Sequence, residues 1–340
     1  MFSLPVLLIL PLAALAGNQH LQSPRHARSN VVKLRNNKQY TLTDKYAGQS
    51  FFDGWDFFTG GDPTHGNVNF VSGDEAFKSG LAFVQDDNTV VMAVDSQTKL
   101  ASGANRNSVR INSKKSYNGG LFIADIFAMP HGCSVWPAWW MAGPDWPQNG
   151  EIDILEGVHN QQFNQYTLHT AAGCNTDRNP AMKFAVPGNS SKSFTAQILG
   201  TSCASGGTYG NNGCGFLDTD TRSYGRDFND IAGGVYATLW DQSGIKIWHF
   251  ARAEIPSDID AGNPNPSAWG APAAFWAASD CNPATHFHDH QLIFDITLCG
   301  DWAGASYEGS GCPGTCTDAV ADPSNFKFAQ WKINYVAVYN

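Results

Sequence analysis

Three carboxylates fall within six residues in the segment Asn149-Gly150-Glu151-Ile152-Asp153-Ile154-Leu155-Glu156-Gly157. Large aliphatics separate the acids, which is the pattern of a β-strand with one buried face. Several acids then stand together on one sheet face, an electrostatically costly arrangement. In a regular strand Glu151 and Asp153 face the same way, and Glu156, five positions on, faces the other. One extra residue, a β-bulge near Ile154-Leu155, returns all three to one face. The alternative is a solvated edge strand, and the aliphatics and flanking glycines argue against it. Paired carboxylates of this sort suit glycoside hydrolysis, in which one is the nucleophile and the other acts first as acid and then as base. In a retaining enzyme the two carboxyls lie about 5–5.5 Å apart. Backbone positions four apart are roughly 13 Å distant in a strand, so a concave sheet and inward-leaning side chains are required. Asp153, between the two, can raise the pKa of a neighbour, or share a proton with the nucleophile and orient it.

The rest of the chain has to supply such a sheet. Charged residues are 15% of the sequence, below the globular norm of roughly a quarter, while 34 glycines and 12% aromatics exceed what a helical protein carries. Short apolar or alternating runs recur between Gly, Asn, Asp and Pro clusters, at 81–84, 89–94, 120–124, 134–136, 151–154, 234–240, 245–248, 292–294 and 331–339. No helical period longer than two turns stands out. Many short strands with turn signals between them indicate an antiparallel sandwich or barrel. The last strand is expected to present Trp331, Ile333, Tyr335, Ala337 and Tyr339 on one face. Residues 257–274, rich in Pro and Ala, read as a long loop of the kind that often borders a binding surface. With no internal repeat and no dividing linker, 39–340 is expected to be a single catalytic β-sandwich domain.

At the acidic motif the sequence resembles glycoside hydrolase family 16, and the resemblance runs from about Tyr40 to Asn340. It is carried further by Gly119-Gly120-Leu121-Phe122-Ile123-Ala124-Asp125-Ile126, Met129-Pro130-His131-Gly132-Cys133, Trp136-Pro137-Ala138-Trp139-Trp140 and Gly143-Pro144-Asp145-Trp146-Pro147. Leu168-His169-Thr170, Gly233-Gly234-Val235-Tyr236-Ala237 and Cys299-Gly300-Asp301-Trp302-Ala303-Gly304 continue it, in the manner of the fungal laminarinases. The resemblance implies a concanavalin-like β-jelly roll sandwich with a substrate cleft across its concave face. It also implies Glu151 as nucleophile, Asp153 as assisting acid and Glu156 as acid/base. The Glu-x-Asp-x-x-Glu form is similar to laminarinases, whereas lichenases and xyloglucan transglycosylases carry the shorter Glu-x-Asp-x-Glu. Trp139, Trp146 and His169 match family positions beside the scissile bond, and Trp302 is a further subsite candidate. Flat aromatic faces stack on sugar rings while ring N–H groups bond hydroxyls. For the tryptophans a core position is the alternative, and for His169 a satisfied structural histidine.

His286, His288 and His290 alternate in a way that could bind zinc or copper on an extended segment. The proposed chemistry requires no metal, and neither metal nor cofactor is expected. A net charge of −9 leaves no basic stripe for a phosphate backbone, so nucleic acid is not an expected partner. The expected partner is a β-glucan polysaccharide, met by a monomer. Residues 1–16, apolar and ending Ala14-Leu15-Ala16, read as a signal peptide, although no Lys or Arg precedes the apolar run. Residues 17–38, with Arg25, Arg28, Lys33, Arg35 and Lys38 and no acid, read as a basic tail or pro-segment. An exported chain with eight cysteines is expected to hold up to four disulfides of undetermined connectivity, and Asn189-Ser190-Ser191 is a glycosylation sequon. No later apolar segment is long enough for a membrane span.

The whole describes a secreted, retaining endo-β-glucanase acting on 1,3-linked and mixed 1,3-1,4-linked chains. A wall-remodelling transglycosylase on the same fold is the rival among enzymes. A non-catalytic glucan-binding protein is the rival of another class, but it would not need both carboxylates, and Glu151 and Glu156 are both present. The expected N-terminus of the exported protein lies at or after Gly17, with no free thiol. Intact-mass measurement before and after reduction and alkylation tests this, and two or more thiols reacting before reduction would refute the all-disulfide framework.

Overall fold

The computed structural model describes residues 39–176 and 194–340, so the expectations for 1–16, for 17–38 and for the Asn189 sequon lie outside the described residues. Two eight-stranded antiparallel sheets face one another. One runs, in spatial order, through the strands Gln197–Ile198, Cys214–Leu217, Gln165–His169, Glu151–Glu156, Val135–Ala142, His290–Leu298, Arg110–Tyr117 and Trp55–Phe57. The other runs through Ala274–Ala277, Gly244–Ala251, Gly234–Asp241, Gly120–Ala128, Gln330–Tyr339, Val90–Ala93 and Ala82–Val84, with Leu42–Ala47 also paired to Gln330–Tyr339. Every apolar run identified from the sequence falls on one of these strands, and the described α-helices are six residues or shorter. The architecture is a jelly-roll sandwich.

The main core lies between the sheets, where alternate residues of each strand meet. Ile152, Ile154, Leu155, Trp139 and Phe294 come from the first sheet, and Phe122, Tyr236, Ile247 and Trp331 from the second. The second sheet is buried on its outer face as well, through Leu121, Ile123, Val235, Leu239 and Trp248. Ile255, Ile259 and Trp269 cover that face, Trp269 meeting Trp248 edge-on with centroids 5.4 Å apart. Most of the 257–274 segment therefore roofs a hydrophobic face instead of bordering the cleft. It also holds the helix Ser257–Asp260, and its last residue begins the strand Ala274–Ala277.

The last strand departs from simple alternation. Its pairing with Gly120–Ala128 shifts register at Lys332/Ile333 and at Ile333/Tyr335. Trp331 and Ile333 consequently enter the main core, followed by Val336 and Val338, while Tyr335, Ala337 and Tyr339 turn to the outer cluster. A period-2 reading cannot register an inserted residue that no chemistry marks.

The inserted residue in the acidic strand is where the sequence places it. Against Val135–Ala142, Asp153 pairs with Trp140 and Leu155 with Trp139, which leaves Ile154 as the extra residue. Against Gln165–His169, Asp153 pairs with Thr167 and Glu156 with Gln165. The polar groups freed by the bulge are taken up by Asn164, which is fully buried. Its Oδ1 accepts the Glu156 N–H at 2.8 Å, and its Nδ2 donates to the Ile154 carbonyl at 2.9 Å. The Asn164 N–H in turn donates to Ser223 Oγ at 3.0 Å. At the start of the strand Gly150 has φ +78°, and a Cβ there would sit 2.4 Å from the His286 carbonyl oxygen, so only glycine fits.

Asn164→Ala removes both side-chain bonds and strands two buried backbone groups, with an expected loss of about 3 kcal/mol. Asn164→Asp keeps the acceptor for Glu156 and should lose less. Urea denaturation of the two variants against wild type checks this order, and equal stability of Asn164→Ala and wild type would sink the clamp.

Candidate active site

Strand register turns the cleft floor into rows. One row reads Gln165, Glu156, Ala138, Asp295, Arg110, and the next reads Thr167, Asp153, Trp140, Ile293, Asn112. Glu151 lies a further step along, paired with His169 and Ala142. The three motif carboxylates line one cleft of about 500 Å³, together with Trp136, Trp140, His169, Asp295, Trp302 and Arg110. Ile152, Ile154 and Leu155 point the opposite way, into the core. A larger surface hollow of about 770 Å³ is bordered by Asn118, Gln242, Asn282 and His288 and holds no carboxylate pair.

Each flanking carboxylate receives an indole N–H. Trp146 Nε1 donates to Glu151 Oε2, Trp136 Nε1 to Glu156 Oε1 at 2.8 Å, and Trp140 Nε1 to Asp295 Oδ1 at 2.8 Å. Asp153 has no such donor, and its Oδ2 lies 3.3 Å from His169 Nε2. Burial raises the Asp153 pKa well above the usual carboxylate range, reinforced by the charges of Glu151 and Glu156 and by a hydrogen bond with Glu151. Burial likewise lifts Glu156 to about 8, against the Trp136 hydrogen bond and with the help of Glu151 and Asp295. At neutral pH Glu156 is thus mainly an acid with a proton to give. Burial lowers the His169 pKa, with Glu151 acting in the other direction, so the ring is neutral. Its Nδ1 lies 2.8 Å from Ser205 Oγ.

The family model described as "XgeA-like, catalytic GH16 domain" matches residues 55–339. The chain belongs to glycoside hydrolase family 16. It is 40% identical over 309 residues to an endo-1,3(4)-beta-glucanase of Arthroderma benhamiae, an alignment covering 88% of this chain and 65% of that relative. The chain therefore spans slightly less than two thirds of that relative's length. Laminarinase 16A of Phanerochaete chrysosporium, solved with beta-glucans in both donor and acceptor sites, is similar at TM-score 0.81 and 40% identity, covering 89% of this chain and 100% of that one. An elongating family 16 beta-1,3-glucosyltransferase is similar at TM-score 0.80 and 37% identity, covering 88% and 100%.

Within this family 16 site the sequence-derived candidates divide. Glu151, Asp153, Glu156, His169 and Trp302 all border the cleft. Trp146 stands at its edge, 41% exposed, with its ring 6.5 Å from His169. Trp139 does not reach the cleft, and its expected role as a subsite residue is corrected here. It is 1% exposed and stacks on Phe294 at 4.2 Å between the sheets. The cause is alternation: Trp136, Ala138 and Trp140 share the cleft face, so Trp139 must take the core face. Trp302 meets Trp136 edge-on at 5.7 Å. Trp136, Trp140, Asn164 and Asp295 were not among the site candidates drawn from the sequence. The parity of Ala138 opposite Glu156 could have revealed the first two.

The histidine run does not converge. His286 ends the short helix Pro283–His286, and His290 is buried with Nε2 2.7 Å from the Asn149 carbonyl oxygen. Among the described residues, one potential ligand atom each from Glu151, Asp153 and His169 falls within 4.8 Å of the others. The other such group, Cys174, Cys203 and Cys281, is engaged in disulfides. All eight cysteines pair, as Cys133–Cys312, Cys174–Cys281, Cys203–Cys214 and Cys299–Cys316.

Glu156 makes stability depend on pH with a definite sign. Below its ordinary range the group is protonated both folded and unfolded. Between that range and about 8 the unfolded chain releases the proton while the folded chain retains it, so stability falls as pH rises. Glu156→Gln should therefore raise Tm by about 5 °C at pH 8.5 and by no more than about 1 °C at pH 4. Thermal scans at the two pH values check this, and an equal shift at both would contradict the raised pKa.

Proposed function

We propose that this chain is a secreted endo-β-glucanase that hydrolyses 1,3-linked and mixed 1,3-1,4-linked β-glucans with retention of configuration. The observation that carries the reading is the bulged strand, which brings Glu151, Asp153 and Glu156 to one cleft wall with Glu156 held as an acid at neutral pH. Glu151, oriented by the Trp146 N–H and by its hydrogen bond with Asp153, attacks the anomeric carbon. As the glycosidic C–O bond breaks, Glu156 gives its proton to the departing oxygen. The glycosyl–Glu151 ester then meets water, which loses a proton to Glu156 and displaces the Glu151 carboxylate from the opposite side. Asp153 keeps its proton throughout, so that a second negative charge does not build up beside Glu151. Trp146, His169 and Trp302 are the proposed sugar-contacting residues, and the relatives described as endo-1,3(4)-beta-glucanase and laminarinase support the substrate class.

A second reading has a specific observation behind it. The similarity to an elongating β-1,3-glucosyltransferase is nearly as strong as that to a laminarinase. In that reading a sugar hydroxyl replaces water in the second step, and Glu156 accepts its proton instead. The carboxylates serve both outcomes.

Incubation with laminarin, lichenan and xyloglucan, followed by product analysis, separates the two. Laminarin should yield short oligosaccharides with new reducing ends, lichenan should be accepted, and xyloglucan should remain untouched. Longer products without reducing-end gain would replace hydrolysis by transfer. The roles are read from azide chemistry: Glu156→Ala should turn over an activated aryl glycoside with azide to the β-azide, and Glu151→Ser to the α-azide. The same anomer from both variants would overturn the double displacement.

A further inference from the structure

Two strand steps from Glu156 across the cleft floor lies a buried carboxylate that the proposed reaction does not use. Asp295 is 7% exposed and borders the cleft. In register it sits beside Ala138, which in turn sits beside Glu156. At about 4.8 Å per strand, the Glu156 and Asp295 backbones are roughly 10 Å apart, with a single methyl group as the floor between them. That spacing and that floor suit one pyranose ring lying flat, with its hydroxyls toward a carboxyl on either side. The far wall is built as well. Arg110, paired with Asp295 on its other side, stacks its guanidinium over the Trp140 ring at 5.0 Å, and Trp140 Nε1 fixes Asp295 Oδ1. Trp331 Nε1 donates to the Asp295 backbone carbonyl at 3.1 Å, anchoring the position from the core side.

The geometry points to Asp295 as a substrate-contacting residue that hydrogen-bonds a hydroxyl of a glucose ring seated over Ala138. This assignment rests on the glucanase reading above. Asp295 Oδ1 is committed to Trp140, and the second oxygen remains for the ligand. Burial lifts the group to about 7, opposed by Arg110 and by the Trp140 bond and assisted by Asp62 and Glu151. In mildly acidic solution it is therefore a neutral acid, able to donate to a hydroxyl oxygen as well as to accept from a hydroxyl. A neutral polyol is matched by such a group, whereas an anionic sugar would meet six carboxyls in one cleft.

The test pairs an enzyme substitution with a substrate one. Binding of a β-1,3-gluco-oligosaccharide and of its singly deoxygenated analogues is measured by titration calorimetry, in a Glu151→Gln background that stops turnover. The comparison is between that background and the same protein carrying Asp295→Ala, which leaves no polar side-chain atom at the position, whereas Asn would still offer an N–H to the hydroxyl. One deoxy position should cost the protein that retains Asp295 about tenfold in affinity and the Asp295→Ala protein almost nothing, because the two changes remove the same contact. Circular dichroism and Tm establish that the variant is folded. If Asp295→Ala does not fold, Asp295→Val is compared in the same way. Equal losses in both proteins at every position, or unchanged binding by the variant, overturns the assignment. Wild-type turnover of laminarin is measured in parallel. Turnover without coupling sinks the Asp295 contact alone, coupling without turnover sinks the hydrolytic reading alone, and neither turnover nor binding sinks both.

Discussion

Like charge crowded onto one face of a sheet is the constraint on which the rest of this molecule turns. Glu151, Asp153, Glu156 and Asp295 share a cleft whose floor is the reverse side of the hydrophobic core. Buried carboxylates so crowded do not all ionise readily. Burial is the main cause of the result: it holds Asp153 well beyond the usual carboxylate range and lifts Glu156 to about 8 and Asp295 to about 7. Three indole N–H groups go to Glu151, Glu156 and Asp295, and none goes to Asp153. The bonds from Trp136 and Trp140 oppose the rise at Glu156 and Asp295 without cancelling it. A double displacement needs a protonated partner for its nucleophile, and Glu156 meets that need at neutral pH.

This explains why tryptophans suited to sugar stacking also serve the carboxylates. Trp136 and Trp140 stand on the strand beside the acidic one and reach outward to either side of it. Trp146 comes from the turn before that strand, so its bond to Glu151 also ties the turn to the site. The four disulfides act farther out. Cys203–Cys214 closes the segment that carries Ser205, the partner of His169, while Cys299–Cys316 holds the start of the segment that carries Trp302. Surface segments bordering the cleft are in this way fixed to strands.

Much of this was legible in the sequence, for reasons that can be named. Acids separated by aliphatics fix which face of a strand is buried, so the motif disclosed both the cleft and the bulge. The strands announced themselves through apolar runs between turn residues. What was not legible depended on parity or on distance along the chain. Trp139 and Trp140 are adjacent and identical in chemistry, and only the register with Glu156 through Ala138 decides which faces the cleft. The irregularities in the last strand leave no mark, because Tyr335, Val336 and Ala337 are each apolar enough for either face. Disulfide partners and the Asn164 clamp depend on contacts that close only when the sandwich has formed. Asp295, alone among apolar neighbours in its strand, is an acidic signal, but Asp125 carries the same pattern in Gly120–Ala128 and does not border the cleft.

The bulge itself has a meaning beyond restoring a face. A strand one residue shorter, Glu-x-Asp-x-Glu, would already place its three acids on one side by plain alternation. The additional residue therefore changes what lies beneath the acids. Ile154 and Leu155 are consecutive and both fully buried, so the backbone under Glu156 is anchored by two aliphatics where a regular strand would offer one. The same kink releases the Ile154 carbonyl and the Glu156 N–H from the ladder, and these are the groups Asn164 binds. Asn164 is itself held by Ser223, and its carbonyl accepts the Asp218 N–H at 2.8 Å. The position of the proposed proton donor is thereby set by a chain of buried bonds leading away from the cleft, and substrate contacts can vary around it without disturbing it.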